Sequence, residues 1–277
     1  MRKGALLALV LCAACAAAPK AEPPPAQARL AQAEARAEAL VRSGDAASAA
    51  KSYEEALRIA TSLEDVDAIA ANAINLSIID QWLGRNAEAR KVLGVVLDDP
   101  RRPFPPRRRL QAELRAAIID LATGDRASAT AMAASAAQRC ADSCNYAATI
   151  RNVQAQIALS GGDAAEAARR AQEAFEHARG RSDNAEAANA LRTLGRAARL
   201  RGQAAAAQPF LEQALELDRA LADPRKILAD LTELSHAAAE AGDAGAAREY
   251  AQRAMAVSRA LADGRSVAEI EAGLRRP

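Results

Sequence analysis

The chain has 277 residues, 51% of them apolar, 26% charged and only 3% aromatic. Its apolar fraction rests on alanine, the strongest helix former, and no period-two stretch marks a strand, so the composition excludes a sheet-based fold. Lys and Arg number 37 against 35 Asp and Glu, too even a balance to supply a field for nucleic acid.

The N-terminus carries Arg2 and Lys3, then the apolar run Ala5 to Leu11, then the small residues Cys12 to Ala18. That order of a basic head, a short apolar core and small residues marks residues 1–18 as a secretory signal, too short to span a bilayer. Setting aside Arg2 and Lys3, the remaining basic and acidic residues balance. The segment Leu11-Cys12-Ala13-Ala14-Cys15 resembles a bacterial lipoprotein box, with Cys12 where that family prefers leucine or another aliphatic. The resemblance implies that Cys15 is lipidated. Ala16 in place of aspartate after it implies an outer-membrane lipoprotein facing the periplasm. Cleavage after Ala18 instead would leave a soluble periplasmic protein. Residues 19–27, with Pro23-Pro24-Pro25, read as an extended spacer.

Six turns then recur at Gly44, Gly84, Gly124, Gly162, Gly202 and Gly242, at spacings of 40, 40, 38, 40 and 40 residues. Five residues after each stands an alanine: Ala49, Ala89, Ala129, Ala167, Ala207 and Ala247. Twelve residues after it stands Ala56, Val96, Ala136, Ala174, Ala214 or Ala254. A fixed period of this length marks stacked units that bury their faces against one another. First helices are expected over 28–43, 66–83, 107–122, 146–160, 184–200 and 225–240. Second helices are expected over 46–62, 86–97, 126–140, 164–179, 204–221 and 244–261. Asp65 or Asp67, Ser182 or Asp183, and Asp223 before Pro224 are the residue types that start helices.

Gly44, Ala49, Tyr53 and Ala56, together with Leu191-x-x-Leu194-Gly195 and the later Gly202, Ala207, Leu211 and Ala214, resemble the tetratricopeptide repeat. Leu231, Leu234, Gly242, Ala247 and Ala254 repeat the phase in the sixth unit. The period exceeds that family's usual length, its early tryptophan is missing, and Ala133 stands where Tyr53 does in the first unit. The expected fold is therefore an all-α solenoid of about six such repeats over 28–262, with a capping helix and tail in 263–277.

Two cysteines follow the signal, Cys140 and Cys144. In an exported chain they read as a disulfide. A zinc site needs four ligands, and the chain's two histidines, His177 and His236, are distant in sequence. No catalytic motif, cofactor fingerprint or metal-ligand spacing is present, so neither enzyme chemistry nor a cofactor is expected. Asp98 to Arg109 reads DDPRRPFPPRRR, whose prolines exclude helix. Its five arginines, Arg101 to Arg109, read as a solvated linker, with contact to anionic lipid as the alternative. Ile78-Ile79-Asp80 and Ile118-Ile119-Asp120 stand one period apart, their carboxylates held by local arginines or free to form a ladder.

Resemblance to tetratricopeptide proteins implies a peptide-binding concave face lined by first helices. Its positions fall on Ile74, Ile78 and Trp82, on Leu114, Ile118 and Leu121, on Asn152 and Gln156, and on Asn189, Arg192, Arg196 and Arg199. The last four share one helical face. An apolar half beside a basic half would suit a peptide with hydrophobic anchors and a carboxylate. Solvated arginines and inter-helix aliphatics are the plainer alternative. The expected function is a non-enzymatic, lipid-anchored adaptor for envelope proteins, in the assembly of an envelope machine. The alternative is an accessory subunit or binder in cell-wall metabolism.

Overall fold

The computed structural model describes residues 24–140 and 144–261. The expected Cys15 anchor and the capping helix of 263–277 lie outside them. Within them the chain forms six helix–turn–helix units. The first helices are α1 (Pro25–Arg42), α3 (Val66–Trp82), α5 (Pro106–Ala122), α7 (Ala147–Ser160), α9 (Asn184–Leu200) and α11 (Pro224–Glu240). The second helices are α2 (Ala46–Ser62), α4 (Asn86–Leu97), α6 (Arg126–Arg139), α8 (Ala164–Arg179), α10 (Ala204–Ala220) and α12 (Ala244–Ala260). Both expected helices of each of the six units are present among the described residues, and the fold is an all-α solenoid.

One expected boundary is corrected. α1 begins at Pro25, inside the segment read as an extended spacer. Proline disrupts a helix interior but fits its first turn, where the missing N–H would have had no partner. Pro106 and Pro224 start α5 and α11 in the same way.

The turn within a unit follows from its glycine, which in four of the six units is followed by an aspartate. Gly44 takes φ +82°, and its N–H donates to Val41 O while that of Asp45 donates to Leu40 O. These two bonds close the helix with a left-handed residue that glycine adopts at least cost. The Asp45 carboxylate then accepts from Ser48 N at 3.0 Å and caps the next helix. Asp125, Asp163 and Asp243 cap in the same way, whereas Arg85 and Gln203 donate no side-chain cap. Three connections between units reuse the turn with Glu64, Ser182 and Ala222 at positive φ, followed by the capping residues Asp65, Asp183 and Asp223.

Packing explains the repeated alanines. Ala49, Ala89, Ala129, Ala167 and Ala207 are fully buried, and so are Ala56, Val96, Ala136, Ala174, Ala214 and Ala254. They lie where paired helices cross, and a larger side chain would force the axes apart. At Gly195 a Cβ would stand 2.6 Å from Leu211 Cγ, so the bare backbone of α9 there receives the Leu211 side chain of α10. The core is a chain of small clusters rather than one centre. Each helix packs on its chain neighbours, and first helices also touch across units: α3 on α5, α5 on α7, α7 on α9 and α9 on α11. No comparable contact joins successive second helices among the described residues. The stack therefore curves with its first helices inside.

The arginine-rich linker is ordered, not solvated throughout. Phe104 inserts into the core between α3, α4 and α5, 5% exposed. The Arg102 and Arg109 guanidinium groups lie 6.0 and 5.7 Å from its ring centroid. Arg109 Nη2 donates to the carbonyls of Asp99 and Arg102, at 2.6 and 3.2 Å. Arg107 and Arg108 both bind Asp67, holding its carboxyl down at about 2.

Candidate functional site

The concave face is the array of first helices, and its polar residues are largely engaged with one another. Asn152, 2% exposed, donates through Nδ2 to Glu186 O at 2.9 Å and to Glu186 Oε2 at 2.6 Å. Thr149 Oγ1 donates to Glu186 Oε1 at 3.0 Å. Asn189 Oδ1 accepts from Arg192 Nη1 at 3.1 Å and from Lys226 Nζ at 2.9 Å. Burial, with Arg192 nearby, lowers the Lys226 pKa. Arg192 Nε donates to Asp230 Oδ1 at 2.6 Å, and its Nη2 binds Asp218. Asp230 is fully buried, and burial, aided by the neighbouring Asp218, pushes its carboxyl up to about 7 against the pull of Arg192. Asn152, Asn189 and Arg192 thus form one polar ladder joining α7, α9, α10 and α11.

The expected basic face of the fifth unit is therefore corrected. Arg196 Nε lies 3.2 Å from Glu233, and Arg199 binds both Glu233 and Glu240. Their charges are answered by α11, and Arg192 holds the stack together from inside. Replacing all three arginines cannot leave melting unchanged, because it would strand Asp218 and Asp230 in the interior. A sequence signal for this existed. Asp230 follows Arg192 by 38 residues and Glu240 follows Arg199 by 41, about one period each. Of the six polar groove candidates, Gln156 is half-buried and has no bonded partner among the described residues.

The aliphatic positions divide. Leu114 is core, 4% exposed, while Ile74, Ile78, Ile118 and Leu121 are half-buried and Trp82 is 39% exposed. Asp80 and Asp120 form no open ladder. Arg85 lies 3.6 Å from Asp80, and Asp120 accepts from Arg90 Nε at 2.9 Å and Ser128 Oγ at 2.6 Å. Cys140 and Cys144 are joined as a disulfide, with Cα atoms 5.3 Å apart, in the connection from α6 to α7.

Two contacts stand apart from this pairing of charges; the first spans about one period and the second more than three. Arg115 on α5 reaches α3, with Nε 3.4 Å from Ser77 Oγ, Nη2 3.4 Å from Ser77 O, and a bond from Nη2 to Gln81. Burial without a carboxylate partner pulls its pKa down to about 10. Trp82, the residue after Gln81, meets Arg225 of α11, whose Cζ lies 4.7 Å from the indole centroid. The second unit thereby touches the sixth, so the solenoid curls back across its own inner side.

No protein-family model matches the chain, and no curated protein sequence does. Solved structures do match in fold. A Rap protein complexed with Competence and Sporulation Factor is 14% identical, with a TM-score of 0.64 over 89% of this chain and 70% of that one. A signal-transduction ATPase with a tetratricopeptide repeat sensor from Pyrococcus horikoshii is 15% identical at 0.62, over 90% of this chain but 37% of that one. PilW, a widely conserved type IV pilus biogenesis factor, is 15% identical at 0.55, over 87% of this chain and 98% of that one. The architecture is a tetratricopeptide-type α-solenoid.

Proposed function

We propose that this protein is a non-enzymatic adaptor that holds a protein or peptide against its first helices. The observation that carries the reading is the surface around Ile74, Ile78, Trp82, Ile118 and Leu121. It is apolar, incompletely buried and on the inner side of a curved stack. Repeat solenoids present extended concave surfaces of this kind to their partners, and aromatic and aliphatic anchors dominate binding energy at such surfaces. The signal of residues 1–18 and the lipobox-like Leu11–Cys15 support placing the adaptor in a bacterial envelope, tethered through Cys15. The fold shared with PilW supports a role in assembling an envelope machine.

The adaptor reading is tested by position-dependent cross-linking. A photoreactive residue at Ile78 or Gln156 should yield adducts in intact cells, and one at Glu216 on α10 should not. Equal adducts from all three positions would place the contact elsewhere. The anchor is tested by fatty-acid analogue labelling, which should mark the native chain and not C15S.

A further inference from the structure

Among the described residues, most cations that are not exposed are answered by a carboxylate. Among the described arginines of that kind, three guanidinium groups are not: Arg109, Arg115 and Arg225. Arg109 is occupied with two carbonyls and the Phe104 ring. The other two converge on one corner of α3. Arg115 binds Gln81, and Arg225 stacks on Trp82, the next residue. Asp223, the carboxylate nearest Arg225 in sequence, accepts from the backbone N–H groups of Arg225 and Lys226.

Resting on the adaptor reading, we propose that this corner is the site that selects the partner: a peptide segment carrying a carboxylate beside aliphatic side chains. Its carboxylate is received by Arg115 and Arg225, and its aliphatic groups lie on Ile78, Ile118 and Trp82. The argument is charge complementarity. Arg115 donates only to neutral oxygens and Arg225 meets only the indole face, so each half-buried guanidinium keeps an unsatisfied attraction for an anion. A charge-assisted bond to a carboxylate is about twice as strong as a bond between neutral groups. The aliphatic surround fits a peptide rather than a polyphosphate, and a chain with 37 basic against 35 acidic residues has no general attraction for nucleic acid. Arg225 reaches the corner from four units away, so the site exists only in the curled solenoid. An incoming carboxylate draws Arg225 off the indole face.

The chain's one tryptophan reports this directly. The probes are two terminally blocked synthetic peptides, Leu-Glu-Glu-Leu-Leu-Glu and the same peptide with Gln for each Glu, added to the full chain. The acidic peptide should shift Trp82 emission saturably, and 0.5 M sodium chloride should weaken that binding. The Gln peptide should bind at least roughly tenfold more weakly, a difference of about 1.4 kcal/mol. R115Q and R225Q should each weaken the acidic peptide and leave the Gln peptide unaffected, with circular dichroism confirming the fold. Equal binding of both peptides would overturn the carboxylate assignment while leaving the groove reading intact. No emission change with either peptide would overturn the site, and cross-linking at Ile78 would then judge the groove separately. A response to inorganic phosphate as strong as to the acidic peptide would also overturn it, in favour of a general anion site.

Discussion

The Arg192 clamp holds one guanidinium between two buried carboxyls, with the Lys226 ammonium in the same cluster, and burial there favours a neutral carboxyl. Asp230 answers this by titrating near 7, because burial and Asp218 both favour its neutral form. The consequence for stability has a definite sign. The folded pKa lies above the unfolded value of about 3.9, so between those values the folded chain holds a proton that the unfolded chain has lost. Stability therefore falls as pH rises through this window and levels off above the folded pKa. D230N removes that titration while leaving an oxygen to accept from Arg192. Denaturation of both proteins from pH 4.5 to 8 should show native stability declining relative to the variant, by at most about 1.4 kcal/mol per pH unit. Parallel profiles would mean that Asp230 ionises normally in the fold.

At the scale of the element, helices α1 to α12 were legible because each signal is local. Glycine with a following aspartate closes one helix and caps the next within a few residues, whatever the rest of the chain does. The linker between α4 and α5 was not legible in that way. Its prolines and arginines describe a solvated linker, yet Phe104 buries its ring against three helices. A lone aromatic in a chain with three phenylalanines was the available hint. F104A should cost about 3 kcal/mol, at the low end for a buried phenylalanine because the loop can partly collapse. It should also expose the Arg101–Arg102 bond to trypsin, read by mass spectrometry of limited digests. Native-like digestion with unchanged denaturation would show that the ring adds nothing.

Across the whole molecule, curvature follows from first helices that touch one another while second helices do not. That asymmetry is built from many alanine-sized contacts, and the single stack of Arg225 on Trp82 adds about 0.5–2 kcal/mol by comparison. R225Q should thus change tryptophan emission while the radius of gyration from solution scattering stays the same. An expanded particle would mean that the latch, not the accumulated packing, sets the curl. The same comparison of magnitudes explains why Arg225 is free to leave the indole for a ligand.

The sequence by itself determined the repeat, its phase, the turns and the small residues at the helix crossings, because these depend on neighbours within one or two units. It also placed two cysteines close enough to be joined. Tertiary structure decided which charges are available. Arg192, Arg196 and Arg199 looked like a free basic face, since helical spacing aligns them, but the carboxylates that neutralise them arrive mainly from the next unit. Arg115 carried no motif and Arg225 lies more than three periods from Trp82, so their convergence depends on the accumulated rotation of the units between. A small change in that rotation at each unit moves the ends of the stack by many ångströms. Local pattern fixes the unit; only the summed geometry of the stack fixes which side chains meet across it.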